Sequence, residues 1–177
     1  MRLFVGLDFP WETKQLLASL AGGIPGARWV PPENYHLTLR FIGEVPAHDA
    51  EEIHHALAAL RARAFPLVLA GMGTFAKGGQ ATQLWVGVER NPLLEALRNK
   101  VEIALQRTGC EPERRRFTPH ITLARLREPA AGKLVGFVQS HNLFRAGPMP
   151  VQHFFLFSSR LGKEASVYTP EVEYALH

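Results

Sequence analysis

Residues 36–43 read HLTLRFIG, and residues 120–127 read HITLARLR. Each stretch begins with histidine, an aliphatic residue, threonine and leucine, a tetrad that we call the His-x-Thr motif. The two motifs lie 84 positions apart. Aliphatic and β-branched residues dominate both stretches, which favours two half-buried strands. Alternate residues of a strand project from the same face and lie about 6.6–6.8 Å apart along it. Each histidine and its threonine should therefore point the same way.

The surroundings of the motifs repeat as well. LFVGLD at 3–8 matches LWVGVE at 84–89 in an apolar, aromatic, Val, Gly, apolar, acidic pattern, with an offset of 81. Each copy is followed by a proline, a helical segment and its own His-x-Thr motif. We therefore predict one bilobal domain over 1–177, formed by an internal duplication with halves of roughly 1–78 and 79–177 that join near Gly78-Gly79.

Hydrophobic periodicity predicts alternating strands and helices along the chain. Asn91 and Asp49 are suitable N-caps for two of the helices. The predicted helices cover 11–21, 50–63, 92–107 and 130–140. The predicted strands lie near 2–8, 36–42, 66–72, 82–88, 120–126, 151–158 and 168–176.

Composition limits the classes of function. Hydrophobic residues make up 46% of the 177-residue chain, and no apolar run approaches the roughly 18 residues that cross a bilayer. The opening MRLFVGLDFP does not resemble a secretory signal, and the single Cys110 cannot form an internal disulfide, so we expect a soluble, cytoplasmic protein. The net charge is +4, and 15 of the 20 basic residues are arginine. Arginine matches phosphate oxygens bidentately, which favours a phosphate ester or nucleic acid as partner.

The two motifs supply the groups of a phosphodiester-cleaving site. If the halves face each other, His36, Thr38 and Arg40 line one wall of a cleft, and His120 and Thr122 line the other. One imidazole can then take a proton from water while the other donates one to the leaving oxygen, because histidine titrates near neutral pH. Threonine hydroxyls can donate hydrogen bonds to the oxygens whose charge grows in the transition state.

These segments resemble the 2H phosphoesterase superfamily, most closely its RNA 2′,3′-cyclic phosphodiesterase branch, historically called 2′-5′ RNA ligase. WVPPENYHLTLRFIGEV at 29–45 is similar to the surroundings of that branch's first motif, and RRFTPHITLARL at 115–126 to those of the second. RLFVGLDFP at 2–10 and the late SSRLG and YTPE segments also look like this branch. The resemblance covers nearly the whole chain.

The resemblance implies a bilobal α+β fold of two pseudo-symmetric halves, each with an antiparallel sheet and outer helices, around a central cleft. It also implies metal-independent hydrolysis of an RNA 2′,3′-cyclic phosphate end to a 2′-phosphomonoester, without a cofactor. By this resemblance His36 would protonate the departing 3′ oxygen and His120 would activate water. Thr38 and Thr122 would hold the phosphoryl oxygens, and Arg125 would contact the substrate. Ligation with a 5′-hydroxyl in place of water would use the same site.

Several side chains have two interpretations. Strand alternation points Arg125 away from the motif residues unless the strand bulges there. Arg114–Arg116 form either a solvated loop or a flank of the cleft that attracts the RNA backbone. Phe9 and Trp29 either stack on a base or belong to the core.

Two other functions stay open. The site could act on a small cyclic nucleotide or an ADP-ribose cyclic phosphate, because the motifs specify phosphate chemistry and not the base. A non-catalytic module could bind an RNA end, although both motifs are intact. No His-Glu-x-x-His signature or ligand-rich run predicts a metal site. We expect a monomer whose partner is RNA or an oligonucleotide with a cyclic phosphate end, and no membrane contact.

Overall fold

Strands and helices alternate along the chain much as predicted. The computed structural model describes residues 1–129 and 131–177. The helices in these ranges are α1 (Trp11–Ala18), α2 (Ala47–Ala58), α3 (Pro92–Arg107) and α4 (Ala131–His141). The strands are β1 (Arg2–Leu7), β2 (Ala27–Trp29), β3 (Leu37–Glu44), β4 (Phe65–Lys77), β5 (Gln80–Val88), β6 (His120–Leu126), β7 (Arg145–Val151), β8 (His153–Leu161) and β9 (Ser166–Ala175).

The predicted elements are found with shifted ends. The helix predicted over 130–140 is α4, and residue 130 lies outside the described residues. Two strands were missed, β2 and β7. β2 has three residues, too few to show a period. β7 contains two prolines, whose nitrogens cannot donate a hydrogen bond to a neighbouring strand. A strand with prolines is therefore found mainly at the edge of a sheet, where β7 lies.

One of the two predicted N-caps is confirmed. The side chain of Asn91 accepts a hydrogen bond from the Leu94 amide at 3.1 Å, at the start of α3. The prediction for Asp49 is wrong, because α2 begins at Ala47 after Pro46. Asp49 lies in the first turn of α2, where a carboxylate interacts favourably with the helix dipole.

The strands form two antiparallel sheets. The first sheet has the order β3-β1-β8-β9, and the second has the order β2-β6-β5-β4-β7. Around each motif the same order recurs, with β3-β1-β8-β9 corresponding to β6-β5-β4-β7. β4 precedes Gly78-Gly79 yet pairs with β5, and β8 from the end of the chain pairs with β1. The α+β class with antiparallel sheets is therefore confirmed, and each sheet combines strands from both predicted halves.

One continuous core lies behind both sheets. The apolar faces of α2 and α3 pack together against the side of the sheets opposite the two motifs. Fully burying one such leucine or valine contributes about 1.5–3 kcal/mol relative to leaving it exposed. α4 covers the outer face of the second sheet and forms a smaller cluster with it. None of the helices in the described ranges has the length and apolarity needed to cross a membrane. The main core includes Leu3, Val5, Leu37, Leu39, Ile53, Leu57, Leu94, Leu97, Val101, Leu105, Ile121 and Leu123.

Each motif strand has a β-bulge shortly after its threonine. In the first sheet Gly6 pairs with Thr38, but Val5 pairs with Arg40, so β3 carries an extra residue. In the second sheet Trp85 pairs with Thr122, and Leu84 pairs with Ala124. A bulge reverses the alternation of side chains beyond it. Two consecutive residues of each strand are therefore buried before an exposed residue follows.

Candidate active site

His36 lies immediately before β3, with both ring nitrogens engaged. Its Nδ1 is 2.7 Å from the carbonyl oxygen of Asn34, and its Nε2 is 3.0 Å from the hydroxyl of Thr38. A carbonyl oxygen can only accept, so Nδ1 carries a hydrogen and donates it. Nε2 of the neutral ring is then the acceptor, and it faces the threonine on the same side of the strand.

His120 begins β6 in the same way. Its Nδ1 is 2.6 Å from the carbonyl oxygen of Thr118, which again leaves Nε2 as the acceptor in the neutral ring. The hydroxyl of Thr122 donates to Oε1 of Gln83 at 3.1 Å. In both motifs, therefore, a main-chain carbonyl two residues before the histidine sets its tautomer, and the local chain alone supplies that carbonyl.

Aromatic rings pack beside both imidazoles. The ring of Phe4 lies 4.8 Å from that of His36 between centroids, and Tyr168 meets His36 edge-on at 5.0 Å. Trp85 lies 5.9 Å from His120, and Phe75 meets His120 edge-on at 4.8 Å. Sequence reasoning did not assign these rings to the site. The signal was present, since Phe4 and Trp85 are the aromatic residues of the repeated LFVGLD and LWVGVE segments.

The repeated glycine has a local reason too. Gly6 pairs with Thr38, and a Cβ on it would lie 2.8 Å from the main-chain oxygen of Leu37. Gly87 pairs with His120, and a Cβ there would lie 3.0 Å from the Ala70 oxygen. The first distance is shorter than real Cβ contacts, and the second is tighter than most of them. Glycine thus lets β1 and β5 approach their neighbours closely at the level of the two motifs.

The charge of His120 affects the pKa of His36, and β3 contacts β6. Burial lowers the pKa of His36 below its ordinary value, although the hydrogen bond to the Asn34 carbonyl acts in the opposite direction. A proton on His120 lowers that pKa further, the carboxylate of Asp8 raises it, and the ammonium of Lys14 lowers it. The motifs predicted to share a cleft therefore lie within electrostatic reach.

Burial also lowers the pKa of His120, against the raising effect of its hydrogen bond to Thr118. The positive charge of Arg125 lowers the pKa of His120 further. Without substrate both imidazoles therefore favour the neutral form more than a histidine in water does. The cationic neighbour that affects each ring differs, and this difference bears on which imidazole holds a proton.

Arg125 lies on the side of the strand that faces the motif residues. The bulge at Leu123 and Ala124 reverses the alternation of β6, so Arg125 follows Thr122 on the same face. Its side chain is exposed, in agreement with its effect on His120. Of the two orientations considered for Arg125, the structure has the one that requires a bulge.

The prediction for Arg40 is wrong. The bulge in β3 places Arg40 on the buried side, where its Nε lies 2.6 Å from Oε2 of Glu102 on α3. The same guanidinium also donates to the main-chain oxygens of Phe41 and Glu111. Burial by itself raises the pKa of Glu102, but hydrogen bonds from Arg40, Gln106 and the Glu113 amide outweigh it and lower the pKa to about 2. Arg40 therefore fastens β3 to α3 and does not line the cleft.

The structure decides the interpretation of the two aromatic candidates and shows the exposure of the three arginines. Phe9 is buried in the core, and Trp29 packs against Phe137 of α4 on the outer face of the second sheet. Both rings therefore belong to the packed interior, as the second of the two interpretations predicts. Arg114–Arg116 are exposed, and the main-chain amide and guanidinium of Arg115 bind the carboxylate of Glu113.

One group of potential metal ligands occurs in the described parts of the chain. His48, Asp49 and Glu52 on α2 have ligand atoms within 4.8 Å of one another, and all three are exposed. Neither His36 nor His120 belongs to this group. Acidic residues one turn apart on an exposed helix commonly approach each other without a metal, so we assign no site there.

Similarity to known proteins extends over both motifs. The model of the LigT-like phosphoesterase family matches the chain twice, over residues 7–85 and 86–168. A Geobacillus stearothermophilus protein named RNA 2′,3′-cyclic phosphodiesterase is 37% identical over 128 residues, which cover 69% of this chain and only 41% of that protein. An Aeropyrum pernix protein of the same name is 36% identical over 151 residues, which are 82% of this chain and 84% of that protein.

Solved structures share the fold along the whole chain. The crystal structure of E. coli LigT in apo form has a TM-score of 0.81 and 28% identity, and the match covers 99% of this chain and 96% of that one. E. coli LigT complexed with 3′-AMP has a TM-score of 0.77 and 27% identity, with 99% and 97% covered. The resemblance to the 2H phosphoesterases is therefore confirmed, and the chain belongs to the LigT-like phosphoesterase family.

Proposed function

We propose that the protein hydrolyses 2′,3′-cyclic phosphate ends of RNA to 2′-phosphomonoesters, with His36 and His120 as the acid and the base. One observation carries the proposal. Two imidazoles within electrostatic reach each have Nδ1 tied to a main-chain carbonyl and Nε2 as the acceptor of the neutral ring. Membership in a family whose relatives are named RNA 2′,3′-cyclic phosphodiesterase supports the choice of substrate.

The reaction uses both Nε2 atoms. Neutral His120 accepts a proton from water at Nε2 as the water oxygen attacks phosphorus. The bond between phosphorus and the 3′ oxygen breaks, and the 3′ oxygen takes the proton that Nε2 of protonated His36 donates. The product carries a 2′-phosphate and a 3′-hydroxyl, and the two imidazoles have exchanged protonation states. Solvent then returns them to the starting state.

The charges around the rings support this division of roles. The guanidinium of Arg125 lowers the pKa of His120, which keeps that ring neutral and able to act as a base. The carboxylate of Asp8 raises the pKa of His36. The bound phosphodiester adds a negative charge between the rings, which raises the pKa of both. Burial lowers the pKa of both rings, and Lys14 and His120 oppose Asp8 at His36. We assign the proton to His36 because Asp8 favours its charged form, whereas Arg125 opposes the charged form of His120.

Thr38 and Thr122 hold the non-bridging oxygens. In the absence of substrate their hydroxyls contact His36 Nε2 and Gln83 Oε1. Rotation about one side-chain bond turns each hydroxyl toward a phosphate oxygen between the two strands. A positioned donor of this kind acts where negative charge grows in the transition state. Arg125, on the same face as Thr122, adds a full positive charge.

The test uses an RNA oligonucleotide that ends in a 2′,3′-cyclic phosphate. We expect a 2′-phosphate product, loss of turnover in His36→Ala and His120→Ala, and no change on addition of EDTA. Loss of activity with EDTA that zinc or manganese restores would contradict the metal-independent mechanism. Adenosine 2′,3′-cyclic phosphate and an ADP-ribose cyclic phosphate serve as competing substrates, and a preference for either would favour the small-molecule alternative. Binding without any turnover would favour a non-catalytic RNA-end module.

Ligation uses the same site when a 5′-hydroxyl replaces water. That hydroxyl attacks phosphorus, the 3′ oxygen leaves with the proton from His36, and a 2′-5′ linkage forms. Adding an oligonucleotide with a free 5′-hydroxyl to the same assay measures the ratio of ligation to hydrolysis.

The remaining proposals concern the whole chain. Two successive matches to one family model support an internal duplication with a boundary close to residues 78–86. The protein acts in the cytoplasm, which the expected RNA substrate and the single cysteine support, and we propose that it is a monomer. Light scattering of the purified protein measures the mass directly, and about twice 19.7 kDa would contradict a monomer.

A further inference from the structure

Gln83 contacts the threonine of the second motif. It lies on β5, and its Oε1 accepts a hydrogen bond from the Thr122 hydroxyl at 3.1 Å. Trp85 is the direct partner of Thr122 across the two strands, and Gln83 is opposite Arg125. Residues opposite in an antiparallel pair share a face, so Gln83 lies beside Thr122 on the face that carries the second motif. Sequence reasoning placed residue 83 in a strand and gave it no role in the site.

The first motif has no equivalent of this contact. Arg2 and Gln83 each precede the leucine of the repeated LFVGLD and LWVGVE segments, with the same offset of 81. The guanidinium of Arg2 lies over the ring of Phe41, 5.1 Å from its centroid. The hydroxyl of Thr38 contacts Nε2 of His36 instead. The carboxamide at position 83 is therefore particular to the second motif.

The two hydroxyls differ in how they become free to bind a phosphate. Each has a single hydrogen, which is already used in the absence of substrate. Thr38 donates to Nε2 of neutral His36, and when that ring takes up a proton its Nε2 becomes a donor and releases the Thr38 hydrogen. Thr122 donates to an amide oxygen, which does not titrate near neutral pH. Release of the Thr122 hydrogen therefore needs a movement and not a proton.

A carboxamide can supply this movement, because its two ends differ in hydrogen bonding and hardly in shape. A half-turn about the last side-chain bond of Gln83 brings Nε2 to the position of Oε1. Nε2 then donates to Oγ1 of Thr122, and the threonine hydrogen is free to point at a phosphate oxygen. Gln83 is half-buried, so water can hydrate its turned oxygen. Two hydrogen bonds that run in one direction, from amide to hydroxyl to phosphate, also strengthen each other.

We propose that Gln83 is a positioning residue of the reaction. In the substrate complex it donates to Thr122 and so aims the threonine hydroxyl at a non-bridging oxygen of the cyclic phosphate. This inference rests on the proposed function. Gln83 does not touch the reacting atoms and acts through Thr122, on an oxygen whose charge grows in the transition state. Its loss should therefore lower kcat and leave KM nearly unchanged.

The first test removes the carboxamide with and without the threonine hydroxyl. Gln83→Met keeps the length of the side chain, and we expect it to lower kcat for the cyclic-ended oligonucleotide about 3- to 10-fold, the size of one neutral hydrogen bond. KM should stay within about 2-fold. When Gln83→Met is added to Thr122→Val, kcat should fall no further, because the hydroxyl through which Gln83 acts is absent.

Controls separate this role from a general effect on the fold. Gln83→Leu, which likewise cannot form a hydrogen bond, should behave as Gln83→Met does. The melting temperature of both variants should stay within about 2 °C of the original, as for most substitutions outside the core. Gln80→Met is the matched control, since Gln80 is exposed at the start of the same strand and should leave kcat and KM unchanged.

Sulfur in the substrate gives a measurement that a merely structural role would not change. The two diastereomers of the 2′,3′-cyclic phosphorothioate place sulfur, a weak acceptor, at one or the other non-bridging position. Sulfur beside Thr122 should slow the unaltered protein. Thr122→Val and Gln83→Met should both reduce the slowing by that diastereomer and leave the effect of the other diastereomer unchanged, because the hydrogen bond that sulfur weakens is already impaired.

Each outcome decides for or against the inference. An unchanged kcat in Gln83→Met, or a rise in KM alone, would contradict it. An equal loss of kcat in the Thr122→Val background would show that Gln83 acts on another group, and the inference would be wrong. A lower melting temperature with an equal loss for both diastereomers would indicate a structural role and overturn it as well. Absence of hydrolysis by the unaltered protein would contradict the proposed function itself.

Discussion

The two motif strands, the walls of the proposed cleft, are alike as far as the threonine and differ beyond it. In both, imidazole Nδ1 donates to a carbonyl two residues earlier, and the ring packs beside the aromatic residue of the repeat. Past the shared bulge the first wall presents Phe41 and the second presents Arg125, which are 84 positions apart. Two identical surroundings would give two histidines with the same acidity. The unequal residues beside them allow one to act as acid and the other as base.

The buried side of the bulge differs as well. In β3 it holds Arg40, which pairs with Glu102, and in β6 it holds Ala124, which packs in the cluster under α4. One backbone irregularity is thus accommodated by an ion pair in one sheet and by an apolar contact in the other. The walls can be compared further by substituting equivalent positions.

Removing either imidazole should have the largest effect. We expect His36→Ala and His120→Ala each to lower kcat by at least about 10²-fold, because positioned acids and bases contribute that much or more. The double variant should be far less impaired than the product of the two losses, since both groups serve one transition state. Single-turnover hydrolysis of the cyclic-ended oligonucleotide measures this. Wild-type turnover in either single variant would contradict the assignment of that residue.

The ion pair of the first wall should matter for stability. Glu102→Gln leaves the buried guanidinium of Arg40 without its counter-charge, which should lower the free energy of unfolding by about 3 kcal/mol. Urea denaturation measures the change, with Glu95→Gln on the exposed side of α3 as control.

The same pair should show a distinct pH dependence. Because the folded-state pKa of Glu102 is lowered to about 2 from 4.5, its contribution is fully present above about pH 4.5 and is lost as the pH falls toward 2. The stability difference between the original protein and Glu102→Gln should therefore shrink over that range. A difference independent of pH there would contradict the ionised pair.

The two threonines should have smaller effects than the histidines. Thr38→Val and Thr122→Val keep the shape of the side chain and remove one donor to the developing charge. A loss in kcat on the order of 10-fold to 10²-fold is expected for each, with a smaller change in KM. An equal rise in KM with unchanged kcat would mean that the hydroxyls bind substrate and transition state equally.

Exchanging the residues beyond the bulge should shift the pH profile, the smallest of these effects. Because His120 must be neutral, its pKa sets the acid limb of kcat/KM, and Arg125→Gln should move that limb to higher pH by removing a charge that lowers the pKa. Phe41→Arg introduces the equivalent charge near His36, so it should lower the pKa of His36 and move the alkaline limb to lower pH. Phe41→Gln is the uncharged control.

The limbs of the unaltered protein follow from the same signs. Burial lowers the pKa of both imidazoles, so both limbs of kcat/KM should lie below the ordinary value near 6.5. The limbs of kcat should lie at higher pH, because the bound phosphodiester raises both pKa values. The apparent values belong to the coupled pair. If Arg125→Gln moved the alkaline limb and Phe41→Arg moved the acid limb, His36 would be the base and His120 the acid.

Much of the candidate site could be predicted because its chemistry is local. Each motif places its histidine and threonine on one face of one strand, and the carbonyls of Asn34 and Thr118 lie two residues before the rings they orient. The periodicities of α2 and α3 were likewise visible, because one face of each helix is apolar over several turns. β2 and β7 could not be found in this way, since pairing at the sheet edges defines them and a hydrophobic pattern does not.

By itself, then, the sequence determined the two His-x-Thr motifs, the common face of each histidine and its threonine, and the α+β class, because these follow from patterns within a few residues. The carbonyls that set the tautomers of His36 and His120 were identified only in the structure. Only the tertiary structure decided which side of the sheet Arg40 and Arg125 occupy. A bulge is a property of two paired strands, and alternation read along one strand cannot reveal it. The position of Arg28 opposite Arg125, in the pairing of β2 with β6, was also decided by the tertiary structure. The register between two strands far apart in the chain is set by packing of the whole sheet.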